Sequence, residues 1–343
     1  MCTWAGYVGT QQAAPILLEM AKRQEGLWGA FYSGIATSSN EKLDLIKLVG
    51  TMSQLQNKTK AVNLPGTVGL VHSRTNSGGG LEWGQPFIDN NATVAVLGQG
   101  SKGLFADDSE NIAVGNELLD DGTTFKSARL GKTSKYPVLK NGTSVHSSEL
   151  VTQAVARNYA KSANPSLAIR ETLKRRPFES VFAFIFHDIP NTIFLANINQ
   201  RVVIGQDTEG TYLASSAMAF PDTVSWQTEL PANTLARITK TSIHYECLLP
   251  HNELQIVETM PAKLDSTVLQ YLKESPEASL QEIVDNALVT LFESGRLVRR
   301  AFAGYRTIER LLASNLIEMK TVFIPGINGE NDTPKKVFAL RKS

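Results

Sequence analysis

The sequence is poor in the residues that metal sites and disulfide frameworks require. Cys2 and Cys247 are its two cysteines, and it has five histidines, none at His-x-x-x-His spacing. Two cysteines cannot build a disulfide framework, and with so few histidines they are too few for a structural zinc site. We therefore expect no metal ion and no cofactor. Cys247 lies in an apolar run, which predicts a buried strand residue.

Long apolar runs and a strong net charge are also absent. No run approaches the roughly 20 apolar residues of a membrane span, and the first residues lack the basic flank and apolar core of a secretory signal. The formal net charge of +1 produces no overall field toward nucleic acid or membrane. We expect a cytoplasmic protein without membrane contacts, in which any DNA contact comes from a local surface.

Hydrophobic patterning predicts a first domain over residues 2–255. Apolar spacing predicts helices at 12–24, 111–119 and 150–160. Runs of β-branched residues predict strands at 67–71, 93–97, 181–186, 193–196, 202–204 and 212–214. The order of these elements favours a layered α+β domain over a doubly wound sheet. Residues 122–146 are polar and rich in small residues, so they predict a long surface loop, which is either a lid or a tolerated insertion.

A second domain is predicted over residues 261–343. Apolar spacing predicts three helices, and Ser279 and Glu282 form the capping box of the second. Two further runs, 320–324 and 335–340, predict a β-hairpin. Three helices followed by a hairpin are typical of a winged helix, so we predict a small winged-helix-like domain.

The third helical region of that domain is basic. It carries four arginines against Glu309: Arg299, Arg300, Arg306 and Arg310. Such local basicity is expected where DNA phosphates are contacted. A solvated helix face, or docking on the first domain, explains the same pattern, and the sequence leaves these alternatives open.

Cys2 is the most informative single residue. It follows Met1, so cleavage of one peptide bond would give it a free α-amine. A thiol needs a base to become a nucleophile, and an α-amine with a reference pKa of about 7.7 to 8.0 can serve. This is the layout of an N-terminal nucleophile hydrolase. The alternative is that Cys2 is an ordinary second residue.

Several segments support the catalytic interpretation together. They are residues 2–9 (CTWAGYVG), 16–25 (ILLEMAKRQE), 33–36 (SGIA), 71–74 (VHSR) followed by Ser77, 193–196 (IFLA), 203–205 (VIG) and 213–216 (LASS). In order and spacing, residues 2–250 resemble the glutaminase domain of class II glutamine amidotransferases, most closely that of glucosamine-6-phosphate synthase.

The resemblance implies a fold and a set of roles. The fold would be a four-layer αββα N-terminal nucleophile domain. Cys2 would attack a carboxamide to form a thioester, its own α-amine moving the proton to the departing ammonia. Gln99 and Gly100 would donate hydrogen bonds to the oxyanion. Arg74 would bind the substrate α-carboxylate, a task that suits the guanidinium fork, with the Ser77 hydroxyl beside it.

The sequence departs from the family at the substrate. Ser147 stands where the family has the aspartate that holds the substrate α-ammonium, and Gln99 stands where it has asparagine. A charged hydrogen bond is worth about 1.5 to 3 kcal/mol, so its loss weakens binding about 10-fold to 150-fold. We therefore expect free glutamine to bind poorly.

Two functional hypotheses follow. The first is an amidohydrolase of the glutamine amidotransferase type that acts on glutamine or a related amide and releases ammonia, or passes it to a separate acceptor subunit. The second is a degenerate ligand-sensing or regulatory protein whose winged helix binds DNA or a protein partner. We also expect a homo-oligomer.

Overall fold

The computed structural model describes residues 2–101, 108–134, 136–175, 179–250, 260–292 and 297–341. No helix within these ranges is both long enough and apolar enough to cross a membrane.

A central antiparallel sheet carries the amino-terminal strand. Over the described residues it has seven strands, in the spatial order β13 (Trp226–Glu229), β11 (Val203–Gln206), β12 (Gly210–Ala214), β1 (Thr3–Gly9), β4 (Val68–Arg74), β2 (Tyr32–Ser39) and β3 (Lys42–Val49). Strand β1 lies between β12 and β4, with Thr3 opposite Ser73 and Trp4 opposite His72. This register brings Cys2, the residue before β1, beside Arg74.

A second antiparallel sheet faces the first. Its described strands number six, in the order β15 (Ile243–Cys247), β14 (Thr234–Ile238), β10 (Ile193–Asn197), β9 (Glu179–Phe186), β6 (Val94–Ser101) and β5 (Phe87–Ile88). Strand β6 is longer than the predicted run 93–97, so Gln99 and Gly100 lie within it and not after it. The prediction that Cys247 is buried is wrong: the residue is exposed, because β15 is the edge strand.

Strand alternation divides the core into layers. In β1, Trp4 and Val8 point toward the second sheet and pack with Ala95 and Leu97 of β6. Side chains at alternate positions point to opposite faces of a strand. The neighbouring residues of β1 therefore face outward, and Tyr7 among them packs against the helices that cover the first sheet.

Helices cover the outer face of each sheet. The first sheet is covered by α1 (Ala13–Gln24) and α2 (Met52–Lys58), and the second by α4 (Ser147–Ser162) and α5 (Pro165–Arg175). A further helix, α3 (Ser109–Asp120), packs on α4. The layers therefore run helix, sheet, sheet, helix. Short 3-10 turns occupy Ala61–Asn63, Leu81–Trp83 and Ala217–Ala219.

The polar segment 122–146 is more structured than its composition indicates. It contains the short pair β7 (Arg129–Leu130) and β8 (Thr143–Ser144). Leu139 and Val145 are buried in a small cluster with apolar residues of α3 and α4. Part of this predicted surface loop is therefore core.

The carboxy-terminal unit consists of helical segments followed by a hairpin. Its elements are α6 (Leu264–Glu274), β16 (Ala278–Ser279), α7 (Leu280–Glu282), a π-helical turn (Ile283–Ala287), a 3-10 turn (Val289–Leu291), α8 (Leu297–Ala313), β17 (Ile317–Ile324) and β18 (Thr333–Leu340). The capping box is confirmed, because Ser279 Oγ accepts from the Glu282 N–H and the Glu282 carboxylate accepts from the Ser279 N–H.

The two units share part of a core. Leu27 and Trp28, in the loop after α1, are buried among the apolar residues of the carboxy-terminal unit, including Tyr305. The Lys336 N–H donates to the Gly26 carbonyl at 2.8 Å. The predicted boundary between 255 and 261 falls largely outside the described residues, so the division into domains stays a prediction.

Candidate active site

The predicted site residues converge on one cavity of about 950 Å³. Its lining includes Cys2, Arg74, Ser77, Gln99, Gly100 and Ser147. These residues come from the start of β1, the end of β4, the end of β6 and the start of α4. The topology thus brings together positions up to 145 residues apart in the sequence (147 − 2).

Cys2 carries an acidified thiol. Its Sγ lies 3.9 Å from Thr75 Oγ1, and the residue is partly exposed. Burial alone would raise the pKa of the Cys2 thiol, but the neighbouring His72 and the Thr75 backbone lower it to about 6. A thiolate at neutral pH is the form that attacks carbonyl carbon.

Gln99 has a defined side-chain orientation. Ser215 Oγ accepts from the Trp4 N–H at 3.3 Å and lies 3.2 Å from Gln99 Oε1. The Trp4 N–H can only donate, so the hydroxyl proton of Ser215 is free to be given to the Gln99 oxygen. With its Oε1 held by Ser215, the Gln99 amide has Nε2 as the donor at its other end.

Glycines on both sides of Gln99 permit close packing. A β-carbon at Gly98 would lie 2.3 Å from the Phe182 ring, and one at Gly100 would lie 2.4 Å from the Glu179 carbonyl oxygen. The Gln85 side chain bridges both backbone groups of Gly98, at 2.7 and 2.9 Å. These glycines therefore serve a strand that must approach its neighbours closely.

Arg74 is a buried cation whose terminal nitrogens are unsatisfied. It is 1% exposed, and within the described part of the chain neither terminal guanidinium nitrogen has a hydrogen-bond partner. Its guanidinium carbon lies 4.9 Å from the Tyr32 ring centroid and 5.8 Å from that of Trp83. Ring faces attract a cation but leave its N–H groups unbonded. A buried guanidinium that lines a cavity in this state is suited to an anionic ligand.

An aromatic wall stands beside Arg74. Tyr136 packs edge-on against Trp83, with ring centroids 4.7 Å apart, and its hydroxyl lies 3.2 Å from His146 Nε2. His146 Nδ1 accepts from the Ser148 N–H at 3.1 Å, so the ring proton is on Nε2. Burial, aided by the charge of Arg74, holds the pKa of His146 well below its usual value. The imidazole is therefore neutral.

The charge of the cavity lining is mixed. Its described residues include the cations Arg74 and Lys132 and the carboxylate Asp108. Ser147 contributes a hydroxyl at the start of α4, where a carboxylate was expected from the resemblance. In the ranges described, no three His, Cys, Asp or Glu side chains cluster in a way that could hold a metal ion.

Four residues near the site have no role assigned to them by the sequence analysis. His72 acidifies Cys2, Ser215 orients Gln99, and Tyr136 and His146 form the wall beside Arg74. Each is an isolated polar or aromatic residue whose role depends on pairing with a distant strand or loop. His72 had one available signal, because it lies two residues before Arg74 in the strand paired with β1.

Sequence comparison finds relatives that share one protein name. No family model matches the sequence. The glutamine–fructose-6-phosphate aminotransferase (isomerizing) of Mesorhizobium japonicum is 26% identical over 251 residues, which is 71% of this chain and 36% of that protein. The protein of the same name from Pyrococcus horikoshii is 25% identical over 222 residues, 64% of this chain and 33% of that protein. The chain thus spans about a third of the length of the curated relatives that it matches.

Structure comparisons give the same fold. Glutamine phosphoribosylpyrophosphate amidotransferase from B. subtilis, complexed with ADP and GMP, has a TM-score of 0.59 at 15% identity, covering 90% of this chain and 64% of that one. A structure of the allosteric regulatory enzyme of purine biosynthesis has a TM-score of 0.58 at 15% identity, covering 89% and 63%.

The αββα layers, with Cys2 at the start of a central strand, define the N-terminal nucleophile hydrolase class of fold. Within this class, the sequence relatives and the structural neighbours support a class II glutamine amidotransferase domain.

Proposed function

We propose that this protein is an amidohydrolase that uses Cys2 as its nucleophile and cleaves a carboxamide through a thioester, releasing ammonia. One observation supports this most strongly. An acidified thiol, an oriented side-chain amide and a buried unsatisfied guanidinium, from Cys2, Gln99 and Arg74, line a single cavity. The proposal requires cleavage of the peptide bond before Cys2, which frees the α-amine as a proton carrier.

The first half of the reaction forms the thioester. The Cys2 thiolate attacks the amide carbonyl carbon, and the π electrons move to the carbonyl oxygen. Gln99 Nε2–H and the Gly100 N–H donate to this oxyanion, a contact worth about 100-fold to 1,000-fold in rate per donor. When the oxyanion collapses, the C–N bond breaks and the nitrogen takes a proton from the Cys2 α-ammonium, leaving as ammonia.

The second half restores the enzyme. The α-amine of Cys2 takes a proton from a water molecule, which attacks the thioester carbonyl carbon. The same two donors stabilise the second oxyanion. Its collapse breaks the C–S bond, releases a carboxylic acid and regenerates the thiolate, with the proton left on the amine.

From Arg74 we infer what the other end of the substrate carries. A carboxylate is the planar anion that pairs with both terminal nitrogens of a guanidinium. The substrate is therefore a carboxylate-bearing amide, such as glutamine or a relative. With Ser147 in place of an acidic side chain, a free α-ammonium gains little here. If ammonia is transferred and not released, we propose that a separate subunit binds the acceptor.

For residues 261–343 we propose a winged-helix-like unit that docks on the catalytic domain. Its helix α8 is the basic one, and two of its arginines are already paired. Arg306 binds Glu229 of the first sheet, and Arg310 binds Asp265 of α6. Paired arginines are poor phosphate ligands, so these contacts favour docking over DNA binding.

The test is intact mass spectrometry before and after incubation with 6-diazo-5-oxo-norleucine, a thiol-alkylating glutamine mimic. Cys2→Ala is the matched control, and Cys247→Ser removes the exposed second thiol. Loss of Met1 with one Cys2-dependent adduct supports the hydrolase, and ammonia assays over candidate amides then follow. Retained Met1 without an adduct would overturn it in favour of the sensor hypothesis, which DNA and ligand binding would then examine.

A further inference from the structure

Helix α8 inserts a carboxylate into the catalytic domain. Both oxygens of Glu309 are bound: Arg201 Nη1 and Nη2 donate to them at 2.9 and 2.6 Å. The Ser216 hydroxyl and the Ala217 N–H donate to the same carboxylate at 2.6 and 3.1 Å. Four donors on one carboxylate define its position closely, since charge-assisted bidentate pairs are the most directional hydrogen bonds in proteins.

Arg201 carries this contact toward the cavity. Its side chain is 5% exposed, and its Nη1 also donates to the Ser215 carbonyl at 3.1 Å. Its Nε donates to Glu229 at 2.9 Å. Arg201 thus has hydrogen-bond acceptors in Glu309, Glu229 and the Ser215 carbonyl. We therefore expect a displacement of Glu309 to move Arg201 and, through it, Ser215.

Ser215 joins the network to the reacting groups. Its N–H and its hydroxyl both bond to the backbone of Trp4, two residues after the nucleophile. Its hydroxyl also holds Gln99 Oε1. A single serine therefore fixes both the strand that presents Cys2 and the amide that would face the oxyanion.

Tyr305 provides a second observation that helix α8 lies close to Arg201 and to the active site. It lies one helical turn before Glu309, is fully buried, and its ring centroid is 5.6 Å from the Arg201 guanidinium carbon. Burial raises the pKa of Tyr305. The charge of Arg201 lowers this pKa, and the charges of Glu309 and of the Cys2 thiolate raise it. Helix α8 therefore lies within electrostatic reach of the nucleophile.

We propose that Glu309 and Arg201 are positioning residues for amide hydrolysis at Cys2, and that the carboxy-terminal unit completes the active site by holding the Gln99 amide through Ser215. This inference rests on the proposed function, because it assigns Gln99 to the oxyanion. The carboxy-terminal unit is then part of the catalytic machinery and not an appended module.

The oxyanion exists only in the transition state, so loosening its donor lowers kcat and leaves KM nearly unchanged. Complete loss of one donor costs about 100-fold to 1,000-fold. Glu309→Gln keeps the shape and an oxygen that can still accept from Ser216 and Ala217, but it removes the charge that holds Arg201. We expect kcat to fall about 10-fold, a fraction of the full effect, with KM within about 2-fold.

Arg310→Gln is the matched control. Arg310 lies on the same helix but pairs with Asp265 of α6, inside the carboxy-terminal unit. Its loss disturbs the helix surface without touching Arg201, so kcat should stay at the wild-type value. Glu309→Asp provides a second variant, because it keeps the charge, and therefore the fold, while withdrawing the carboxylate from its bidentate geometry.

A double-mutant cycle separates positioning from general destabilisation. If Glu309 acts through Gln99, then Glu309→Gln lowers kcat in the wild-type background but has no further effect in Gln99→Ala. A purely structural role predicts the same fractional loss in both backgrounds.

The outcomes are distinct. Turnover in the wild type, with a kcat loss in the Glu309 variants that vanishes in Gln99→Ala, supports the inference. Wild-type turnover with unchanged kcat in both Glu309 variants, or with additive losses, overturns it while the proposed function stands. Absence of turnover and of a Cys2 adduct in the wild type overturns the proposed function, and this inference with it.

Discussion

Replacing Arg74 by methionine should stabilise the unliganded fold while destroying activity. The effective penalty for burying an ion is several kcal/mol, and hydrogen-bonded partners normally offset it. Arg74 lacks such partners at both terminal nitrogens among the residues described, and has Tyr32 and Trp83 as ring contacts instead. Two cation–π contacts return about 0.5 to 2 kcal/mol each. We therefore expect Arg74→Met to raise the free energy of unfolding by about 1 to 3 kcal/mol.

The same change should remove the substrate anchor. Truncating one partner of a buried, hydrogen-bonded charge pair costs about 2 to 5 kcal/mol, or about 30-fold to 5,000-fold in kcat/KM. The two effects have opposite signs, which is the mark of a group kept for its ligand at the expense of the fold.

Urea denaturation of the wild type and of Arg74→Met tests this, with Arg201→Met as the control. Arg201 is also a buried arginine, 6% exposed, but Glu229 and Glu309 pair with it. Removing one partner of a buried pair destabilises by about 3 to 5 kcal/mol. If Arg74→Met destabilises in the same way as Arg201→Met, Arg74 is a structural residue and the reasoning is refuted.

Three further predictions concern single residues. In a Cys247→Ser background, the rate of Cys2 alkylation by iodoacetamide should rise with a midpoint at about pH 6, since the pKa of Cys2 is lowered to about 6. Adding His72→Gln should move this midpoint upward. A midpoint near pH 9 in Cys247→Ser alone would contradict the lowered pKa. Ser147→Asp should raise the kcat/KM ratio of glutamine to its deamino analogue glutaramate by about 10-fold to 150-fold, and an unchanged ratio would remove Ser147 from the substrate site. Burial raises the pKa of Glu25 from its ordinary value of 4.5 to about 7, so its contribution to stability is fully present below about pH 4.5 and is lost as pH rises through about 7. That loss amounts to about 3 kcal/mol in urea denaturation, and Glu25→Gln should abolish the dependence.

The fold was predictable where local pattern and tertiary environment agree. The strands around residues 181–186 and 193–196 were found because both lie in fully buried sheet and consist of apolar residues. The capping box at Ser279 was found because its contacts are local. Cys247 was misjudged because an apolar run does not reveal whether its strand is an edge strand.

The site was predictable only in part. Cys2, Arg74 and Gln99 were found through the order of motifs along the chain. Tyr136 was not, because segment 122–146 has the composition of a surface loop, and only its packing on Trp83 turns it into a wall of the cavity. The ion pair between Arg201 and Glu309 spans 108 residues, and nothing local in either segment indicates it.

The division between these two sets has a physical cause. The position of Cys2 follows from the β1–β4 register, in which Thr3 faces Ser73, and a change of register by one residue would turn its side chain to the other face. The chemistry is therefore carried by strand pairing, which sequence pattern specifies strongly. Tyr136 in a loop, Ser147 at a helix start and Glu309 in helix α8 depend instead on long-range contacts. On the proposed function, substitutions in those segments would change the choice of amide or the rate, while the pairing of β1 with β4 would keep the nucleophile in place.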